Sequence, residues 1–149
     1  MNKRRFLTIL APLAFLSMAQ SAAAATLVVT KTAYCGCCKH WVEHMKKAGF
    51  QVEVREVEGV APTRARLGVP DALRSCHTSE IGGYAIEGHV PPVDIRALIG
   101  RKGKSVRGLA VPGMPLGSPR MDVAHDKRHP YQVIPFAADG RRFVFARYS

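Results

Sequence analysis

The chain has 149 residues, 22 Lys and Arg against 11 Asp and Glu, a formal charge of +11, and 47% hydrophobic residues. That apolar fraction excludes a disordered, charge-swollen chain, and the length fits one domain with an ordinary core.

Residues 1–25 begin with Lys3, Arg4 and Arg5, run through an apolar centre from Phe6 to Met18, and end in Ser21-Ala22-Ala23-Ala24-Ala25. This is the pattern of a secretory signal peptide, with cleavage expected after Ala25. Its apolar centre is too short for a membrane span. The expected mature chain is a single exported domain, 26–149, most simply periplasmic, with no span left after signal removal. Loss of the three basic residues lowers the formal charge to +8, and export argues against nucleic acid as the partner of the remaining basic surface.

Leu27 to Lys31 reads as a short apolar strand, followed by turn residues Thr32 to Gly36. From Cys38, the apolar positions Trp41, Val42, Met45 and Ala48 recur at helical spacing, and Gly49 supplies the stop. Gln51 to Val57 alternates as a strand with one wet face. Pro62 to Leu67 reads as a short helix, broken by Gly68-Val69-Pro70-Asp71. His77 to Ile81 and Tyr84 to Val90 flank Gly82-Gly83, the strongest hairpin signal in the chain. Pro91-Pro92 opens a helix that ends at Gly100. The order is βαβ, short α, ββα, which is α/β and matches a thioredoxin-like domain.

Beyond Arg101, Val106 to Pro119 is rich in Gly and Pro and cannot form one regular element. Tyr131 to Phe136 and Arg142 to Tyr148 alternate around Asp139-Gly140, a second hairpin expected to extend the sheet.

Three thiols, Cys35, Cys37 and Cys38, crowd the first strand-to-helix turn. Unpaired N–H groups and the dipole at a helix N-terminus favour thiolate over thiol. The fourth cysteine, Cys76, stands before the third strand, where the chain is expected to pass over that helix end. Four cysteines in an oxidising compartment usually mean two structural disulfides, which would more naturally be spread along the chain. Three other readings compete: soft-metal binding, dithiol redox chemistry through the Cys35/Cys38 pair, and structural zinc. Zinc takes Cys-x2-4-Cys pairs from two loops, and here the second arm is Cys76 alone. Thiolates bridging several Cu(I) ions tolerate crowding better, and four thiolates with four Cu(I) ions sum to zero charge, which eases burial.

At about 100° per residue, Cys38 falls on the face of Trp41 and Met45, and Cys37 towards His40 and His44. His77 can ligate or hydrogen-bond a sulfur. Met114 and Met121 carry soft thioethers in the Gly/Pro-rich region, with loop packing as the plainer role. A solvated helix face is the plainer reading of His40 and His44, and His125 and His129 receive no role.

The combination of Cys35-Gly36-Cys37-Cys38, Cys76-His77-Thr78, Gly82-Gly83-Tyr84, Glu87-Gly88-His89-Val90-Pro91, Gly108 to Pro115 and Gly117-Ser118-Pro119 resembles one family. It is similar to the exported copper-resistance proteins of the CopG type, once catalogued as a domain of unknown function, over roughly Leu27 to Met121. The resemblance implies a thioredoxin-like fold that binds copper through Cys35, Cys37, Cys38 and Cys76; the thiolate donors favour Cu(I), and His77 and Met114 are secondary candidates from their own chemistry. It also implies a polynuclear cluster, Cu(I)/Cu(II) redox activity, and other periplasmic copper-handling proteins as partners. No residue is assigned a catalytic role. The rival reading is a thiol–disulfide oxidoreductase using Cys35 and Cys38. A pure dithiol enzyme has no evident use for Cys37, and a thioredoxin normally keeps proline where Cys76 stands. One departure from the family pattern is Arg120, where glycine is expected; if that position needs a positive φ, arginine strains the loop.

Overall fold

The computed structural model describes residues 25–101, 105–121, 129–137, 139 and 144–149. The expected signal peptide and His125 lie outside these residues, apart from Ala25. In chain order the elements are β1 (Leu27–Thr32), α1 (Gly36–Lys47), β2 (Val52–Val57), α2 (Ala61–Arg66), a 3-10 turn (Asp71–Leu73), β3 (Thr78–Ile81), β4 (Tyr84–Glu87), α3 (Pro92–Arg101), β5 (Gly108–Ala110), β6 (Tyr131–Phe136) and β7 (Ala146–Tyr148). The protein is α/β, in the βαβ then ββα order expected, with an added C-terminal hairpin. No helix among the described residues is long and apolar enough to cross a membrane.

The strands form one mixed sheet in the order β2-β1-β3-β4-β5-β6-β7. β1 runs parallel to β2 and antiparallel to β3, so the end of β1 and the start of β3 share one end of the sheet, with Thr30 opposite Thr78. The Gly82-Gly83 turn, with both φ values positive, sets the β3–β4 register from Ile81↔Tyr84 to Thr78↔Glu87. Only glycine adopts such φ values without steric cost.

The alternation of strand residues divides the core between the two faces of the sheet. One face gathers Trp41, Val42 and Met45 of α1 and Ile95 and Leu98 of α3 onto Leu27, Val29, Ile81, Ile86, Leu109 and Val133. The other carries Val69 and Leu73 against Ala85, Ala110 and Phe136. Each large side chain so buried contributes about 1.5–3 kcal/mol.

Four local expectations are corrected. α1 starts at Gly36, because Cys35 adopts the extended N-cap conformation and Lys39 N–H already bonds the Cys35 carbonyl. β2 is wetter than expected: Glu53 to Glu56 are all exposed and only Val52 and Val57 are partly covered, and its charges at the sheet edge discourage further pairing. The Gly/Pro-rich segment contains a strand, β5, whose three residues are too few to show a period. β7 starts at Ala146, later than Arg142; residues 140–143 lie outside those described.

Candidate metal centre

The first turn of α1 holds three thiols because Cys35 is its N-cap and Cys37 and Cys38 follow within that turn. Cys38 points inward with Trp41, Val42 and Met45 and is fully buried, whereas Cys35 and Cys37 are partly exposed. Cys76 arrives from the segment entering β3 at the same end of the sheet. The four sulfurs of Cys35, Cys37, Cys38 and Cys76 all lie within 4.8 Å of one another. Cys35 and Cys38 form a disulfide, Cys37 and Cys76 are free thiols, and the Cys35 and Cys37 sulfurs are 3.5 Å apart.

A second donor group adjoins the first. Cys38, Cys76, His77 and His89 also place one donor atom each within 4.8 Å of one another, so Cys38 and Cys76 belong to both groups. His77 Nδ1 lies 3.4 Å from the Cys76 sulfur. His89 Nδ1 is 2.7 Å from the Pro119 carbonyl oxygen; a carbonyl only accepts, so Nδ1 carries the proton and Nε2 of the neutral ring presents a lone pair. The Nε2 atoms of both histidines are buried without a hydrogen-bond partner. Imidazole nitrogens grouped with sulfurs in this way are donors that suit a soft metal ion.

Burial, aided by His89 and Lys31, holds His77 neutral well below the ordinary imidazole range, and burial also lowers His89 against the opposing effect of its bond to Pro119. Burial, with the neighbouring Cys37, pushes the Cys76 thiol up to about 12. The indole of Trp41 walls this side: its ring centre is 4.4 Å from that of His77, and its N–H donates to the Val90 carbonyl at 3.1 Å.

A buried carboxylate pins the Cys76 segment. Glu87 accepts from Arg64 Nε at 2.9 Å, from the Ser75 N–H at 2.7 Å and from Thr78 Oγ1 at 2.6 Å, while Arg64 Nη2 donates to the Ser75 carbonyl at 2.9 Å. Residues on both sides of Cys76-His77 are thus tied to one side chain. Gly88, at φ 72°, lets Ser75 approach; a Cβ there would overlap Ser75 Oγ and the Val111 carbonyl oxygen.

The four predicted cysteines and His77 therefore come together. Met114 is 52% exposed on the loop whose Gly113 carbonyl accepts from Ser75 Oγ. His40 is exposed and His44 partly so, on the outer side of α1. His129 is exposed and Met121 partly buried. Arg120 has φ 68°, so the position does adopt the left-handed conformation that favours glycine.

Sequence reasoning missed His89 and the Arg64–Glu87 pair. The hairpin register could have found the histidine: pairing outward from Gly82-Gly83 sets residue 77 opposite 88, and the Gly88 N–H does bond the His77 carbonyl at 3.0 Å. Arg64 comes from a separate helix, and no spacing rule announces it.

This α/β domain brings four cysteine sulfurs and two imidazoles, each with a buried, unpaired Nε2, to one sheet end, a donor set of the soft-metal type. The family model described as "Protein of unknown function, DUF411" matches residues 73–121. Two solved structures, "Copper resistance protein copG- Form 2" and "Copper resistance protein copG- Form 1", are 42% and 41% identical. They cover 85% and 84% of this chain and 99% and 98% of their own, with TM-scores of 0.76 and 0.77. No curated protein sequence matches. The chain belongs to the CopG-type copper-resistance family.

Proposed function

We propose that this is a periplasmic copper-binding protein that contributes to copper resistance, holding Cu(I) through Cys35, Cys37, Cys38 and Cys76 in their reduced form. The carrying observation is the convergence of four sulfurs within 4.8 Å, one of them from a distant segment. Thiolate is the preferred donor for Cu(I), and imidazole also suits copper; His77 and His89 extend the donor set inward. The sharing of Cys38 and Cys76 between two donor groups favours bridging sulfurs and a polynuclear cluster, with Cu(I)/Cu(II) redox activity at the same place. The β2-β1-β3-β4 order, with α1 leading from the cysteine turn, supports the thioredoxin-like reading.

The test is an anaerobic Cu(I) titration of the reduced protein, read by elemental analysis. More than one copper per chain is expected, and Cys37→Ser lowers that number. A stoichiometry indifferent to Cys37→Ser would count against the cluster.

The Cys35–Cys38 disulfide favours a second reading, a thiol–disulfide oxidoreductase with Cys35 as the attacking thiol. That activity requires insulin reduction by the copper-free protein that survives Cys37→Ser and is lost in Cys35→Ser. Absence of turnover would remove it.

A further inference from the structure

The outer face of α1 carries donors that the sulfur site leaves unused. His40 and His44 stand about one helical turn apart, so their Cβ atoms are about 5–6 Å apart on one face. Two histidines at this spacing hold zinc on helices that read H-E-x-x-H or H-x-x-E-H, and residues 40–44 read His-Trp-Val-Glu-His. Because Trp41, Val42 and Met45 anchor the helix from its buried side, His40 is exposed and His44 only partly covered.

The two imidazoles do not face open solvent alone. His40, Glu43, His44 and Lys47 of α1 and Arg120 from across the way line a hollow of about 250 Å³, room for an ion and several waters at about 30 Å³ each. The turn that supplies Arg120 is tied on both sides of it: the Met121 N–H donates to the Ser118 carbonyl at 3.0 Å, and the Pro119 carbonyl accepts from His89 Nδ1 at 2.7 Å. Both walls of the hollow are thus held by the fold.

We propose that His40 and His44 form a second metal site, for a divalent ion of borderline softness and Cu(II) above others, separate from the sulfurs at the start of the same helix. No sulfur lines the hollow. Imidazole suits Cu(II), Ni(II) and Zn(II), and of these Cu(II) binds most tightly. Glu43 adds an oxygen donor: its ion pair with Lys46, at 3.1 Å, joins two half-exposed side chains, and such surface pairs yield easily. Lys47 and Arg120 repel a cation, but both are exposed and their charge is screened by salt. The inference goes beyond the proposed function and does not rest on it, since it uses none of the cysteines.

The experiment adds Cu(II) sulfate to the Cys37→Ser/Cys76→Ser protein with its Cys35–Cys38 disulfide closed, a form without free thiols because the chain has only four cysteines. Electron paramagnetic resonance is expected to show about one tetragonal Cu(II) per chain with nitrogen couplings, and equilibrium dialysis tighter binding of Cu(II) than of Zn(II). In the same background, His40→Ala and His44→Ala each weaken Cu(II) binding by roughly tenfold or more, the loss that even an outer-shell partner of a metal causes. His129→Ala leaves it unchanged. If the double cysteine variant does not fold, the titration is run on wild-type protein preloaded anaerobically with Cu(I), which gives no signal in this measurement. Cu(II) affinity that is the same with and without His40 and His44, or no bound Cu(II), overturns the proposal. Because the thiol-free variant reads this site alone, its result stands whichever way Cu(I) binding by the cysteines turns out.

Discussion

Glu87 allows the charge of the buried network to be separated from its shape. Its carboxylate is fully buried and accepts three hydrogen bonds, and its Arg64 partner is only 11% exposed. Glu87→Ala removes the acceptor for all three donors and leaves the guanidinium without a counter-charge. Breaking a buried pair from one side costs about 3–5 kcal/mol. Glu87→Gln keeps one carbonyl oxygen for Arg64 and Ser75 and presents an amide that Thr78 Oγ1 can accept, so it loses the charge but retains the geometry. Its expected cost is about 2–3 kcal/mol, because the guanidinium still loses its counter-charge while the hydrogen bonds survive. Against a total stability of about 5–15 kcal/mol, the alanine variant gives up a large fraction. Urea unfolding of the reduced, metal-free proteins measures both, through the midpoint at constant m. Because Ser75 and Thr78 flank Cys76 and His77, Glu87→Ala is also expected to weaken Cu(I) binding more than Glu87→Gln. Equal stabilities for the two variants, within about 0.5 kcal/mol, would refute the reasoning.

Further outcomes follow from the same structure. His77 and His89 are both held below the ordinary imidazole pKa, so below about pH 6.5 the unfolded chain binds more protons than the folded one. The stability of the metal-free protein is therefore full above that pH and falls on acidification by about 1.4–2.7 kcal/mol per pH unit; a flat profile in denaturant melts from about pH 7.5 to 5 would contradict it. Arg120→Gly relieves a left-handed conformation that costs a non-glycine residue about 1–2 kcal/mol, partly offset by glycine's greater freedom when unfolded. A net gain of about 0.5–1 kcal/mol, or a rise in Tm of about 2–5 °C, is expected, and a fall would show that the loop carries no strain. The chain's single tryptophan, Trp41, has its ring centre 4.4 Å from that of His77, so its fluorescence is expected to drop as copper loads. Unchanged emission with copper bound would put the ion away from the imidazole side.

What could be read beforehand was local or periodic. The βαβ unit showed in the 3.6-residue spacing of Trp41, Val42 and Met45, and the first hairpin in Gly82-Gly83. The cysteine turn showed in spacing alone, and the departure from the family pattern at Arg120 raised the question of a positive φ, which the structure answers at 68°. The misses have physical causes. β5 is held by its neighbours, Ala85↔Gly108 on one side and Gly108↔Phe136 on the other, and its three residues are too few to announce themselves. The wet face expected for β2 presumed a covered opposite face, but Val54 is exposed and only Val52 and Val57 are partly covered. His89 was passed over because its role depends on the Pro119 carbonyl, 30 residues further on. Arg64 was passed over because a buried ion pair between a short helix and a strand is a tertiary fact.

The antiparallel pairing of β1 with β3 makes completion of the sulfur set depend on a contact between distant parts of the chain. Until the third strand docks beside the first, the helix end displays a three-thiol motif and nothing more, whatever metal surrounds it. The candidate donor set is thus a property of the assembled sheet: Cys76, His77 and His89 join the helix-end cysteines only once β3 and β4 are in place.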